Sequence, residues 1–160
     1  MQLTNLIKTL ETAPITRPLA NEGENELRLS AISLKLSQKT QEPMIEAILN
    51  CVSNPDASGI FHYFMVPDET KQKSYMLRLT DLKRFTVAFG IALEDLLLLE
   101  GTDPQAVEDA FVGKTGWAIL KHEAGGEQYE PSAKVKKWII ADGSDNGQFV
   151  PTVASDDIPF

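Results

Sequence analysis

The sequence has too few cysteine and histidine residues for a disulfide framework or a zinc site. Cys51 is the single cysteine of the 160 residues, and only His62 and His122 could join it as nitrogen or sulfur ligands. Their spacing matches no zinc motif. A lone cysteine is typical of the reducing cytoplasm. No apolar run approaches the roughly 20 residues of a membrane-spanning helix, and no secretory signal is apparent. The sequence therefore predicts a cytoplasmic chain without metal or cofactor.

Catalytic groups are also scarce. The carboxylate pairs Glu94-Asp95 and Glu108-Asp109 fall in or beside predicted helices, where adjacent side chains do not face each other. His62 and His122 have no evident serine or cysteine partner and are interpreted as structural histidines. Gly113-Lys114-Thr115 lacks the first glycine of a phosphate-binding loop. Without a nucleophile or a tuned acid–base pair, we predict that the chain is not an enzyme.

Positive charge is in short supply overall but unevenly distributed. The formal net charge is −8, and the last twenty residues hold four aspartates and no lysine or arginine. Residues 113–140, by contrast, contain five lysines and three glutamates. The sign of the local charge, more than the net charge of the chain, decides where a phosphate backbone can lie. The acidic balance therefore weakens a nucleic-acid-binding hypothesis without excluding it.

Hydrophobic periodicity predicts five strands and two main helices. The first strand changes its apolar face after Ala31, which indicates a β-bulge or a strand shared between two sheets. Gly90 is placed to end the main helix, and Pro104 to begin the second one. In chain order the prediction is an N-terminal arm at 1–24 with one or two helical turns, strands at 26–37, 43–52 and 60–66, helices at 68–89 and from 103 to about 110, strands at 113–123 and 129–140, and a flexible tail at 141–160.

Three strands, a helix and two further strands follow the element order of the OB fold. The predicted fold class is mainly β with helices. It is a five-stranded OB-fold barrel over residues 25–140, with a helix between strands 3 and 4 and a flexible acidic tail.

The final residues, Ser155-Asp156-Asp157-Ile158-Pro159-Phe160, form a distinct motif. Pro159 restricts the backbone, two carboxylates precede it, and a terminal carboxylate and an aromatic ring can each be held by a partner. This motif resembles the acidic C-terminal tip of bacterial single-stranded DNA-binding proteins. The resemblance implies that residues 155–160 dock replication, recombination or repair proteins, with Phe160 as the anchor. The alternative is a solvated acidic tail.

A more diffuse resemblance covers about residues 25–140. The segments Leu82-Lys83-Arg84-Phe85, Ala88-Phe89-Gly90 and Phe111-Val112-Gly113-Lys114 are similar to phage-encoded single-stranded DNA-binding proteins of OB fold. A bacteriophage protein acting in the bacterial host's cytoplasm is the implied setting. The sequence lacks the strand motifs and the long Gly/Gln-rich linker of the bacterial housekeeping proteins, so tetramer formation and their DNA-wrapping mode stay open.

Strands 4 and 5 supply candidate binding residues. If Ala133, Val135 and Ile139 face the core, the other face displays two cations and a ring; alternatively, Trp138 closes one end of the barrel. Trp117 alternates with Ile119 and is favoured as a core residue over a ligand contact. The candidates from this part of the chain are Lys114, Trp117, Lys121, Lys134, Lys136 and Trp138.

Strand 3 is apolar on both faces, so its residues can be assigned to the buried and the displayed face in two ways. Either Ile60, Phe64 and Val66 are buried and Phe61 and Tyr63 are displayed, or His62 and Phe64 are displayed instead. The first is favoured because it exposes a ring with a polar tip.

Basic residues on or beside strand 1 complete the candidate set as phosphate contacts or as ordinary surface cations: Arg28, Lys35 and Lys39.

Together these features predict a protein that binds single-stranded DNA without strong sequence preference, by base stacking and phosphate contacts, and recruits partners through Asp156, Asp157, Ile158, Pro159 and Phe160. The alternative is a protein-interaction module that competes for the same partners without touching DNA. RNA binding stays open, since stacking does not distinguish the two nucleic acids. The sequence does not fix the oligomeric state, a homo-oligomer included.

Overall fold

The computed structural model describes residues 2–15, 17–125 and 130–140. The predicted flexible tail and its tip, residues 141–160, lie outside the described residues, as do residues 126–129, which include the first residue of predicted strand 5.

The described residues form a mixed domain with five strands and four helices. Helix α1 is a short N-terminal helix, α2 and α4 are the two helices that the sequence predicts, and α3 is a 3₁₀-helix that it does not. The bounds are α1 Leu3–Thr12, β1 Gly23–Leu36, β2 Pro43–Cys51, β3 Ile60–Met65, α2 Gln72–Phe89, α3 Leu93–Glu100, α4 Pro104–Phe111, β4 Thr115–Glu123 and β5 Ser132–Ile139.

All five strands belong to one antiparallel sheet in the order β3-β2-β1-β4-β5. The phase change predicted in β1 is confirmed. Leu29 pairs with Leu49 and Ala31 with Ile48, so Ser30 is a bulged residue, and its hydroxyl donates to the Ile48 carbonyl at 3.0 Å. The extra residue switches the buried positions from odd to even numbers and lets β1 bend across both halves of the sheet.

The sheet is open but strongly curled. No hydrogen-bonded ladder joins β3 to β5 in the described part of the chain, yet side chains from both edges meet: the Phe64 and Trp138 rings stack with centroids 5.9 Å apart. A closed barrel is therefore not observed. The edges are instead held together by aromatic packing.

The core lies inside this curled sheet and is covered at the gap by α2. Phe85 and Phe89 of α2 are buried, and Phe85 packs within 5.0 Å of the Trp138 ring. Gly90 ends α2 in the left-handed region at φ 65°, as the sequence predicts. At the same end, Gly116 of β4 approaches the helix so closely that an added Cβ would lie 2.7 Å from a Phe89 ring carbon.

Helix α4 begins as predicted. Asp103 is its N-cap, with Oδ1 accepting from the backbone N–H groups of Gln105 and Ala106, and Pro104 occupies the first turn. Of the helices in the described ranges, none combines the length and the apolar character required to cross a membrane.

Candidate nucleic-acid interface

The side of the sheet that faces away from the core is continuous across all five strands, and we call it the outer face. Cross-strand partners share a face of a sheet, which fixes its membership. On β1, β2 and β3 the outer face is formed by Glu24, Glu26, Arg28, Ala31, Ser33, Lys35, Met44, Glu46, Ile48, Asn50, Phe61, Tyr63 and Met65. On β4 and β5 it is formed by Thr115, Trp117, Ile119, Lys121, Glu123, Ser132, Lys134, Lys137 and Ile139.

Two aromatic side chains stand exposed on β3. Ile60 and Phe64 are buried, whereas Phe61 is 41% and Tyr63 is 45% exposed. The favoured phase of this strand is therefore confirmed. Large aromatic surfaces left in water carry a cost unless something stacks on them, so this pair is the first feature of the outer face that suggests a planar ligand.

A charged group lies beside these rings in the middle of the face. The Lys35 Nζ is 2.8 Å from the Glu46 carboxylate, and Glu46 pairs across the strands with Tyr63. The hydrogen bond to Glu46 raises the pKa of Lys35. Burial, followed by hydrogen bonding to Glu46, raises the pKa of Tyr63. At neutral pH Tyr63 thus keeps its proton, and the charge of Lys35 is balanced by Glu46.

Trp117 is the third exposed ring. The prediction that it is a core residue is wrong: it is 45% exposed and pairs with Glu26 on one side and Ile139 on the other. The residues directly before and after Trp117 in the chain are buried instead, since Gly116 packs on Phe89 and Ala118 lies in the core. Trp117 therefore displays its ring on the outer face.

Trp138 is not on the outer face, so its prediction as a displayed ligand residue is wrong. It is 1% exposed. Val135 pairs with Leu120 and Lys137 with Ile119, so Lys136 is an extra residue in β5. This bulge reverses the side-chain phase and turns Trp138 inward. The predicted row of Lys134, Lys136 and Trp138 on one face therefore does not exist, and the alternative, that Trp138 fills the core, is confirmed.

The predicted cations are distributed along the face and its margins. Arg28 is exposed between Asn50 and Thr115. Lys121 lies opposite Lys134 and makes an ion pair of 3.3 Å with Glu123. Three others lie at the margins: Lys39 in the β1–β2 turn, Lys114 with its Nζ 3.5 Å from the Gly90 carbonyl, and exposed Lys136 at the bulge.

Both histidines are engaged in structural contacts. His62 Nε2 lies 2.8 Å from the Asp81 carboxylate of α2, and His122 Nε2 lies 2.7 Å from the Ala20 carbonyl. The described residues also contain no group of three or more His, Cys, Asp or Glu side chains suited to a metal ion.

A cavity of about 420 Å³ between β1 and α4 differs from the outer face in charge. Its lining includes Leu34 and Val107 together with the acidic Asp103 and Glu108, and no lysine or arginine. An acidic, cation-free wall disfavours a phosphate backbone. The outer face is therefore the better candidate for a nucleic-acid interface.

Comparison with protein-family models and with curated proteins gave no match.

Proposed function

We propose that this chain binds single-stranded DNA on the outer face of an OB-like sheet, without strong sequence preference, and recruits other proteins through residues 155–160. The observation that carries the proposal is the display of three rings on one face: Phe61 and Tyr63 on β3 and Trp117 on β4. Their strands are three inter-strand steps apart, about 14 Å across the sheet. Unpaired bases stack on such rings, and each stacked base contributes about 1–3 kcal/mol.

Cations near the rings suit the phosphates that lie between stacked bases. Arg28 is located on β1, between the two aromatic positions, and Lys121 and Lys134 continue the row beyond Trp117. A DNA strand crossing from β3 to β5 would therefore meet rings and cations in turn, with the carboxylate of Glu26 opposite Trp117. Such an arrangement contacts the phosphate backbone and the flat faces of the bases. All four bases have such a face, so little sequence preference is expected. Action in a bacterial cytoplasm during replication, recombination or repair, and a bacteriophage origin, belong to this proposal as consequences of the resemblance.

Tryptophan fluorescence tests the DNA-binding part directly. Titration with oligothymidine is expected to quench Trp117 saturably, and the affinity should fall as salt rises. The matched control is Trp117→Phe, which keeps a stacking ring but removes the reporter. Its quenching should be lost, while the anisotropy of a labelled oligonucleotide still reports binding. An unchanged anisotropy with the wild-type chain would refute single-strand binding.

The terminal motif is tested by deletion. Removing residues 151–160 is expected to abolish capture of tip-binding replication or repair proteins and to leave DNA affinity unchanged or raised, because acidic groups that compete with phosphates are lost. A synthetic peptide of residues 151–160 should compete for the same partners, and the same peptide with Phe160 replaced by alanine should not. A clear loss of DNA binding on deletion would contradict this division of labour.

The acidic balance of the chain, −8 overall, favours a second candidate, a protein-interaction module that does not bind DNA. Glu46 in the centre of the outer face agrees with it. The two candidates differ in one measurement: the interaction module leaves oligothymidine anisotropy unchanged and still competes for the partners of the tip.

Neutralising Glu46 gives a further prediction. Glu46→Gln should raise the affinity for oligothymidine because it removes a charge that repels phosphate and releases Lys35 from its ion pair of 2.8 Å. One additional phosphate contact steepens the slope of log K against log salt by about 0.7 for a single strand. Glu11→Gln on α1 makes the same change of charge away from the face and should have little effect. Equal affinities of the Glu46 variant and the wild type would exclude Glu46 from the interface.

A further inference from the structure

The gap between the edges of β3 and β5 contains two connected grooves. One, of about 320 Å³, is lined by Tyr63, Phe64, Met65, Leu77, Arg78 and Asp81. The other, of about 200 Å³, is lined by Leu77, Thr80, Asp81, Arg84, Lys136, Lys137 and Trp138. Leu77 and Asp81 of α2 belong to both linings. The grooves therefore adjoin at these two residues, and we call them together the β3–β5 gap.

Asp81 holds the two edges together. Its Oδ1 accepts a hydrogen bond from Trp138 Nε1 at 3.0 Å, and its Oδ2 lies 2.8 Å from His62 Nε2. Its side chain is nevertheless 39% exposed. An ionised carboxylate offers about four acceptor positions and no donor. Each oxygen therefore retains room for a hydrogen bond from a ligand that enters the gap.

The rest of the gap suits a nucleotide. Leu77 is 52% exposed and gives an apolar surface beside the carboxylate. Basic side chains lie on both sides of it: Arg78, which makes an ion pair of 3.2 Å with Glu42, toward β3, and Lys136 and Lys137 toward β5. The base of a nucleotide can pack on the leucine while the phosphates of the same DNA strand lie toward the lysines.

We infer that the β3–β5 gap is a base-binding subsite that prefers a base with an exocyclic amino group, such as cytosine, over thymine. This inference rests on the proposed function, because Tyr63 lines both the outer face and the gap. A DNA strand bound on the outer face would enter the gap beside this side chain. Cytosine presents an amino donor at the position where thymine presents a carbonyl oxygen, and carboxylates accept from that amino group. Thymine presents a carbonyl oxygen at that position, so it can donate to the acceptor-only Asp81 only from its ring N3–H.

The test compares oligodeoxycytidine with oligothymidine of equal length at neutral pH. The wild-type chain is expected to bind the cytidine oligomer at least about fivefold more tightly, since one matched base edge gives that order of discrimination. Asp81→Asn preserves the shape and supplies an amide donor for thymine, so the ratio should fall to near one. Asp95→Asn on α3 makes the same chemical change outside the gap and should preserve the ratio.

A second variant guards against a loss of structure in the Asp81 variant, which changes a contact of the buried Trp138. Leu77→Arg introduces a cation four residues before Asp81 on the same helix, where the two side chains can pair. That pairing should occupy the free acceptor positions, and the apolar surface is lost as well, so the affinity for the cytidine oligomer should fall to that for the thymidine oligomer. In a Trp117→Phe background, the emission of Trp138 should respond to the cytidine oligomer.

The outcomes separate this inference from the proposed function. Quenching of Trp117 with equal affinity for both oligomers in the wild type, Asp81→Asn and Leu77→Arg chains overturns the subsite and leaves single-strand binding standing. Absence of binding by both oligomers overturns both. A preference that survives Leu77→Arg and Asp81→Asn would place the discrimination elsewhere on the chain and also overturn the subsite.

Discussion

Trp138→Ala is expected to lower the free energy of unfolding by about 3–5 kcal/mol, as for other large-to-small changes of aromatic core residues. The side chain is 1% exposed and contacts rings from two elements, with centroid distances of 5.1 Å to His62 and 5.9 Å to Phe64 on β3 and 5.0 Å to Phe85 on α2. Domains of this kind are stable by about 5–15 kcal/mol. The variant should therefore lose a large fraction of the stability of the domain.

Urea denaturation followed by far-ultraviolet circular dichroism measures this loss. Trp117→Ala is the matched control, because it removes the same side chain from an exposed position and should cost less than about 1 kcal/mol. Trp138→Phe retains much of the ring packing and should fall between the two. Equal destabilisation by Trp138→Ala and Trp117→Ala would contradict the burial of Trp138.

The position of Trp138 explains why its loss should affect the whole domain. In the described residues β3 and β5 share no backbone ladder, so the contacts of Trp138 with Phe64 and Asp81 help to replace it. Removing the indole would leave a cavity at the gap and an Asp81 oxygen without its donor. Both effects act on the same junction, so the sheet should open there first.

Strands whose alternation is undisturbed could be predicted from the sequence. In β2 the alternate residues Ile45, Ala47, Leu49 and Cys51 are all buried, and the observed strand differs from the predicted one by a single residue. The bulge in β1 was also predictable, because its apolar residues change from odd to even positions. In both strands the positions of the apolar residues directly indicate which side chains are buried.

The bulge in β5 was missed, although the sequence contains a signal for it. Strict alternation from Ala133 and Val135 places Lys137 in the core, and burying an unpaired lysine is costly. An extra residue at Lys136 removes that conflict and buries Trp138 instead. Weighing the cost of Lys137 would have favoured the inward orientation of the tryptophan.

The orientation of Trp117 and the 3₁₀-helix depended on tertiary context. Trp117 points outward because Gly116 is the residue that faces α2, where its lack of a side chain allows the close approach of Phe89. In α3, Leu96, Leu98 and Leu99 are partly buried against the core whereas Leu97 is exposed. That spacing follows neither a helical nor a strand period, so local patterning could not identify the element.

The double variant Phe61→Ala/Tyr63→Ala is expected to lose most of the affinity for oligothymidine. Two stacking surfaces contribute about 2–6 kcal/mol together, which corresponds to a weakening of at least about 30-fold. Because both rings are more than 40% exposed, their removal should leave the fold intact. Fluorescence anisotropy of a labelled oligonucleotide measures the affinity, and circular dichroism verifies the fold.

The matched control is Phe61→Tyr/Tyr63→Phe, which exchanges one hydroxyl between the two positions and keeps both rings. It should bind nearly as tightly as the wild type, since bases stack on either ring. The salt dependence gives a second criterion: the alanine variant loses no cation, so its slope of log K against log salt should equal that of the wild type. A changed slope would show that β3 contributes charge, and equal affinities of the alanine and ring-conserving variants would show that its rings do not stack on bases. The proposed path across the outer face would then have to begin at Trp117.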